Sequence, residues 1–473
     1  MIMTKIKYIL TVMTAMICLA SCNGKIDDAS DVLSAINLSQ APDNVLRFYV
    51  DLEFSSPCRF KVDYWESDDP STKRSTREFE STGKAGRAVI MFIKPATNYT
   101  FNVTVTSNGH SFTTDKDYSF TTRDLPNGVP TYSINTNYPN TLDLPGYILH
   151  GQASSPTGFL VFTDTNGTVV WYQDFDEAVR HFYFDQKSRT IVVLKGFKNS
   201  LSDVKFQRFC NSYVRIDLEG NILEEWKTSP FNIEYPHHDI KVDEEGHLVI
   251  LHGVSKNYDL TSIGGGSSVD VFHDGFTILS PEGQTLFTWD TSETVDPVND
   301  KYLNTLETYY DLVHANSVSW DVEGNYYFTL NNLNELWKID GKTGNVLYRV
   351  GDNGNIAIPD DAYTSGIHSS VPLAPDKILV FDNGSKSRIS RALVYDVDAA
   401  AGTATVGMSV IIPSELSSTD RSNVEIIDGG NKLFFGSTAG RCCVFTDKDG
   451  SILRVITRAG ISYRTHYFST IEY

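Results

Sequence analysis

The 473-residue chain carries 40 basic and 59 acidic side chains, a formal net charge of -19, with 41% hydrophobic and 12% aromatic residues. That composition can bury a large core, which excludes wholesale disorder, and the acidic balance excludes a nucleic-acid partner because nothing would offset phosphate repulsion. Six cysteines in this length exclude a dense disulfide scaffold, and beyond the N-terminus no run of about 18 apolar residues exists to span a membrane.

The chain begins with an address. Lys5 and Lys7 precede an apolar stretch, residues 8–20, that is too short to cross a bilayer. Leu19-Ala20-Ser21-Cys22 comes next and resembles a bacterial lipobox, in which Cys22 becomes the lipidated N-terminus; an ordinary signal peptide with a chance cysteine is the other reading. Removal of residues 1–21 takes Lys5, Lys7 and no acid, moving the net charge from -19 to -21. Residues 22–31 are then a polar tether, and the lipid is the only membrane attachment. This implies an outer-membrane lipoprotein on the periplasmic or cell-surface side; Asp27-Asp28 resembles a surface-export tag. Cys58, Cys210, Cys442 and Cys443 remain. The last two are adjacent, so on one strand they point to opposite faces, and no disulfide is expected although the compartment permits them.

From about residue 32 to 125 apolar and polar residues alternate, as in Leu46-Arg47-Phe48-Tyr49-Val50 and Tyr99-Thr100-Phe101-Asn102-Val103-Thr104-Val105. Short alternating runs between turn residues read as an antiparallel β-sandwich. Ile93-Lys94-Pro95-Ala96-Thr97-Asn98-Tyr99 resembles the fibronectin type III pattern with Tyr99 as its corner tyrosine; another small β-sandwich is the alternative. Leu125-Pro126-Asn127-Gly128-Val129-Pro130 reads as a domain boundary.

Residues 140–473 repeat. Each copy has a glycine turn and then a strand, often ending in an aromatic: Asp164-Thr165-Asn166-Gly167 leads to Trp171, Asp217-Leu218-Glu219-Gly220 to Trp226, and Ser280-Pro281-Glu282-Gly283 to Trp289. Gly344, Gly402 and Gly450 mark three further copies, and successive turn glycines lie 48 to 63 residues apart. Inside the units a second turn recurs, Asp243-Glu244-Glu245-Gly246 and Asp321-Val322-Glu323-Gly324. Units with room for four short strands predict an all-β fold, a six-bladed β-propeller behind the sandwich, with residues 465–471 returning to close the ring on blade one; a large sandwich or a solenoid is the alternative.

Five of the 11 histidines open the first strand of a unit: His181, His238, His314, His368 and His466. Arg421 holds the sixth equivalent position. First strands are innermost in a propeller, so these side chains are expected to converge at one mouth of the channel. His237 flanks the pattern, while His110, His150, His247, His252 and His273 fall outside it. A histidine ring can bind a metal, carry a transferable group while its neighbours hold the anion and move protons, or recognise an acidic ligand.

Residues 311–351, from Asp311-Leu312-Val313-His314-Ala315-Asn316 through Trp337-Lys338-Ile339-Asp340 to Gly351, resemble the family of bacterial arylsulfotransferases. So do His238-Asp239, His368 with Phe381-Asp382-Asn383-Gly384 downstream, and Ser390-Arg391-Ala392-Leu393. The similarity extends over about residues 140–473. It implies a nucleotide-independent transfer of a sulfuryl group from an aryl sulfate to a phenol, with no cofactor and no metal. Carried over, His368 is the nucleophile that becomes a sulfohistidine. His238 and His314 bind the sulfuryl oxygens, with His314 or a neighbour passing the phenol proton. Asn316, Asn331, Arg391, His181, Arg421 and His466 are the further candidates for substrate binding. The sequence departs from the family pattern at Asn331, where a sulfate-binding arginine is expected, and Arg391, Arg388 and Arg421 are the candidates to replace its charge. The loop at 352–367 also lacks the cysteine pair often found near the nucleophile.

The sequence therefore carries two main readings: a lipid-anchored aryl sulfotransferase, and a non-catalytic propeller that binds a glycan, a sulfated ligand or a protein. A metal-dependent hydrolase is a third, for which Asp239 is the one plausible carboxylate partner in the site motifs. Nothing in the sequence sets an oligomeric state.

Overall fold

The computed structural model describes residues 31–153, 157–197, 208–226 and 233–473; the leader, Cys22 and the tether up to residue 30 lie outside them. The alternating N-terminal stretch forms two antiparallel sheets. Leu33–Gln40, Phe48–Phe54 and Ala85–Ile90 make the first, and the second is built around Arg59–Glu66 paired with Asn98–Ser107. In Asn98–Ser107 Tyr99, Phe101, Val103 and Val105 are buried and their neighbours are not, so the period-two pattern becomes one inward face. The Tyr99 hydroxyl accepts the Lys94 N–H at 2.8 Å and ties down the corner before that strand.

These sheets dock on the strands that begin the repeating region. The Asn44 amide donates to the Tyr172 carbonyl at 2.8 Å, the Val45 N–H donates to the Tyr172 hydroxyl at 3.2 Å, and Phe92 packs on Phe162 with ring centroids 5.4 Å apart. Val161, Val169 and Tyr172 share one hydrophobic core with the sandwich residues.

From residue 147 onward the strands fall, among the described residues, into successive antiparallel sheets in chain order. Four consist of consecutive strands: Val179–Asp185 to Ile222–Trp226, Tyr235–Val242 to Thr285–Asp290, Ala315–Trp320 to Val346–Gly351, and Ile367–Ala374 to Thr403–Ile411. Another runs from Asn423–Ile427 to Ile452–Arg458. The remaining one joins Tyr147–Gly151, Gly158–Asp164 and Val169–Phe175 to the late strand Thr465–Phe468, which pairs with Tyr147–Gly151. The first strands pack against one another in order, which is the construction of a β-propeller. One boundary differs from the sequence reading. Tyr132–Ile134 pairs with Ile452–Arg458, so this part of the chain starts before residue 140; three residues are too short a run for alternation to reveal.

The repeat has a local cause. In the turns at Asp164, Asp243, Asp321 and Asp447 the carboxylate accepts the N–H groups two and four residues on, at 2.8 to 3.0 Å. The glycine in each turn takes a φ of 82 to 94°, where a side chain is strained. Trp171 and Trp289 donate their indole N–H to Leu218 and Gly344 carbonyls, both at 2.8 Å, so the aromatic ending one unit is pinned to the turn of the next.

Among the described residues Cys58, Cys210, Cys442 and Cys443 are free and buried, and no helix is long and apolar enough to cross a membrane.

Candidate functional site

The first strands of four sheets are irregular where the histidines stand. Pairing slips at Val179/His181, Pro236/Ile240, Ala315/Ser317 and His368/Ser370, the signature of β-bulges. His238 and His314 have φ of 56° and 49°, and Ser369 has 54°. Such a left-handed conformation costs of order 1–3 kcal/mol in a non-glycine residue, and it recurs on three neighbouring strands.

These bulges bring the imidazoles together. Ring centroids are 5.6 Å apart for His181 and His238 and 4.9 Å for His238 and His314. Tyr463 lies among them, 4.5 Å from His181, 5.4 Å from His238 and 6.5 Å from His368. The Tyr463 hydroxyl is buried and has no hydrogen-bond partner among the described residues, and burial raises its pKa.

Burial also keeps the histidines neutral. It lowers His368 to about 3 and His314 to about 4, and pushes His181 and His238 well below the usual range. His368 Nδ1 lies 3.1 Å from the Gly366 carbonyl and 3.3 Å from the Asn331 amide nitrogen. Its hydrogen goes to the carbonyl, which leaves Nε2 a bare lone pair. His314 Nδ1 lies 2.5 Å from Asp311 Oδ2, so its Nε2 is bare too. Asp311 is ion-paired with Arg208, which is 3.4 Å from Asp274. His237, fully buried, contacts Asp274 at 3.1 Å and His238 at 2.5 Å.

Positive charge around this cluster comes from several arginines, Arg208, Arg180 and Arg421 among them, and from one more that the sequence did not single out. Arg464 reaches Asp239 at 2.7 Å and the Asn316 carbonyl at 2.5 Å, and its Nε is buried without a partner. Burial would raise the Asp239 pKa, but Arg464 and Lys241, the latter 3.0 Å away, outweigh it and hold the carboxylate below its ordinary range.

The other sequence candidates are placed differently. Asn316 donates to the Ile367 carbonyl at 2.8 Å and accepts from Thr329 at 2.7 Å, so its amide braces the strand before His368. Arg391 is committed to Asp382 and to the Asp361 and Tyr363 carbonyls, at 2.7 to 2.9 Å, and belongs to the loop before His368. Arg421 is half exposed, 3.8 Å from Asp420, yet near enough that its charge acts on His181 and Tyr463. His466 bonds Glu425 at 2.8 Å and packs edge-on to Phe182, one step past the histidine cluster. Tyr463, Arg464, Arg208, Asp274 and Asn383 were not singled out by the sequence. Asn383, held by the Ser418 and Arg421 carbonyls at 2.6 and 3.1 Å, reaches His368; its only sequence signal is its place in Phe381-Asp382-Asn383-Gly384.

For a metal, Asp243, Glu245 and His247 are the one suitable group among the described residues. They form one of the aspartate–glycine turns of the repeat, where Asp243 serves the backbone, and they are not part of the histidine cluster. A cleft of about 820 Å³ between outer strands, lined by Trp289, Arg349 and Asn353, contains none of the histidines.

The family model for arylsulfotransferase (ASST) matches residues 131–442. No curated protein sequence matches the chain. Similar solved structures include a protein of unknown function from Bacteroides caccae (11% identity, TM-score 0.42, covering 68% of this chain and 99% of that one). They also include apo AztD from Citrobacter koseri (10%, 0.36, 87% and 98%) and a catalytically inactive virginiamycin B lyase from Staphylococcus aureus with quinupristin (12%, 0.32, 69% and 98%).

Proposed function

The chain belongs to the arylsulfotransferase family, and we propose that it is an aryl sulfotransferase that moves a sulfuryl group from a phenolic sulfate ester to a phenol through a sulfohistidine at His368. The observation that carries this reading is the contact of His368 Nδ1 with the Gly366 carbonyl, which leaves Nε2 its lone pair on a buried ring beside Tyr463 and within reach of His314.

In the donor half-reaction the S–O bond to the aryl group breaks as an S–Nε2 bond forms on His368, and the phenolate leaves, taking a proton. In the acceptor half-reaction a phenol gives its proton to a bare imidazole, His314 backed by Asp311 or a neighbour, and its oxygen attacks the sulfur, freeing His368. His238 and His314 bind the sulfuryl oxygens in the states in which their Nε2 carries a proton. Fixed donors aimed at those oxygens lower the barrier, and the unpartnered Tyr463 hydroxyl and Arg464 Nε are such donors. Arg464 thereby supplies the charge that Asn331 lacks. Asn316 and Asn331 hold the His368 strand, and Arg391 holds the loop before it.

The same proposal extends to the frame. The sheets from residue 132 onward are six blades of one ring, and residues 32–125 are a fibronectin type III-like sandwich, for which the Tyr99–Lys94 bond is the support. Cys22 is the lipid anchor of an outer-membrane protein. Asn331 in the arginine position favours a second reading, a propeller that binds a sulfated ligand, a glycan or a protein without turnover.

Turnover separates the two. With 4-nitrophenyl sulfate and phenol, the enzyme reading predicts nitrophenol release that His368→Ala reduces by about 10³-fold or more. Release at the same rate in both proteins contradicts it.

A further inference from the structure

We infer that His237 and Asp274 are positioning residues that hold, behind His238, the proton exchanged during the transfer; the inference rests on the sulfuryl-transfer reading. Asp274 is fully buried, and its Oδ2 accepts the Ala315 N–H at 2.8 Å while Arg208 lies 3.4 Å from Oδ1. An ionised carboxylate only accepts hydrogen bonds, so His237 Nε2, 3.1 Å from Oδ1, carries a hydrogen. In the neutral ring His237 Nδ1 is then bare. It stands 2.5 Å from His238 Nδ1, and two ring nitrogens in contact need one hydrogen between them, which His238 must supply. His238 Nε2 is therefore bare in the resting protein.

A bare nitrogen accepts a phenolic proton but cannot donate to a sulfuryl oxygen. The pair resolves this. When a proton arrives on His238 Nε2, the His238 Nδ1 hydrogen passes to His237 Nδ1. The charge comes to rest on His237, against the Asp274 carboxylate, and His238 becomes a neutral ring whose Nε2–H donates to the sulfuryl group. In the acceptor half-reaction the phenol O–H bond breaks as the Nε2–H bond forms. In the donor half-reaction that hydrogen goes to the departing phenolate oxygen and the His237 hydrogen returns to His238. No electrons are gained or lost.

The surroundings make the loaded state depend on an anion. His181, His314 and Tyr463 face His238 at ring distances of 5.6, 4.9 and 5.4 Å. Arg208, which joins Asp274 to Asp311, opposes a cation on either histidine. Only Asp274 favours one at His237, and it is already shared with Arg208. A sulfonate or sulfate ester in the mouth supplies the missing negative charge, so such a ligand takes up a proton as it binds.

Benzenesulfonate tests this, because its sulfur–carbon bond cannot be transferred. Titration calorimetry in buffers of different ionisation enthalpy is expected to show proton uptake on binding near pH 5.5 that shrinks toward pH 8, with affinity falling as pH rises. His237→Gln keeps an acceptor for His238 Nδ1–H and a donor for Asp274 but cannot take the proton; proton uptake and the pH dependence are expected to disappear. Asp274→Asn keeps the shape and removes the charge, and is expected to weaken binding about tenfold. Binding without proton uptake in the unmodified protein, or unchanged uptake in His237→Gln, overturns the inference. Neither result depends on sulfation of His368, so failure of the transfer reading is seen separately, as uptake without turnover.

Discussion

At the scale of single residues the site joins two kinds of group. The neutral imidazoles supply lone pairs, and a few buried donors have no partner among the described residues. Tyr463 shows the difference between a structural and a functional polar group. Its hydroxyl is buried and unpartnered, which is unfavourable unless a ligand completes it. Tyr463→Phe is therefore expected to leave stability within about 0.5 kcal/mol or raise it, while lowering kcat/KM for an aryl sulfate on the order of tenfold or more. Chemical denaturation and steady-state kinetics check both halves; a destabilised variant with unchanged kinetics contradicts the assignment. Three of the five histidines singled out by their register, His181, His238 and His314, are ring neighbours, and His368 approaches them through Tyr463. Tyr463 and Arg464 were not legible. They precede the closing strand by two residues and one, in a segment with no turn or repeat signal, and reach the cluster only because Thr465–Phe468 pairs with Tyr147–Gly151.

At the scale of elements the repeat was readable because each unit needs the same turn. Aspartate accepts two backbone N–H groups and glycine supplies the left-handed residue, so the motif survives where the strands diverge. Gly324 isolates this effect: it has a φ of 82°, and a Cβ there would meet nothing within 4 Å. Gly324→Ala is expected to cost about 1–2 kcal/mol from backbone strain alone, measured by urea denaturation. A change under a few tenths would show that the turn relaxes freely. The bulges that turn His238 and His314 to the mouth left no such mark. A bulge is one extra residue in a strand, and period-two alternation does not show where it falls. The short strand Tyr132–Ile134 was missed for a similar reason, since it is recruited by pairing with Ile452–Arg458 rather than by its own pattern.

At the scale of the whole molecule, an acidic protein concentrates buried, neutral histidines and a few guanidiniums at one mouth. Burial holds His237 and His314 down to about 4 and His368 to about 3, while the unfolded chain titrates each near 6.5. The unfolded state therefore binds more protons below pH 6.5. Stability is full above that value and is lost as pH falls toward 4, by up to about 1.4 kcal/mol per pH unit for each histidine that stays neutral. Thermal denaturation between pH 7 and 4.5 is expected to show a steep fall in Tm, and a flat profile contradicts the burial of these rings. The same neutrality frees a lone pair on His368 at pH 7, and the central claim stands on that nitrogen. Intact mass spectrometry of the protein after exposure to an aryl sulfate, with no acceptor present, tests it most directly. The account predicts the gain of one SO3 group, discharged by added phenol and absent in His368→Ala. No gain in the unmodified protein, or an undiminished gain in His368→Ala, contradicts it.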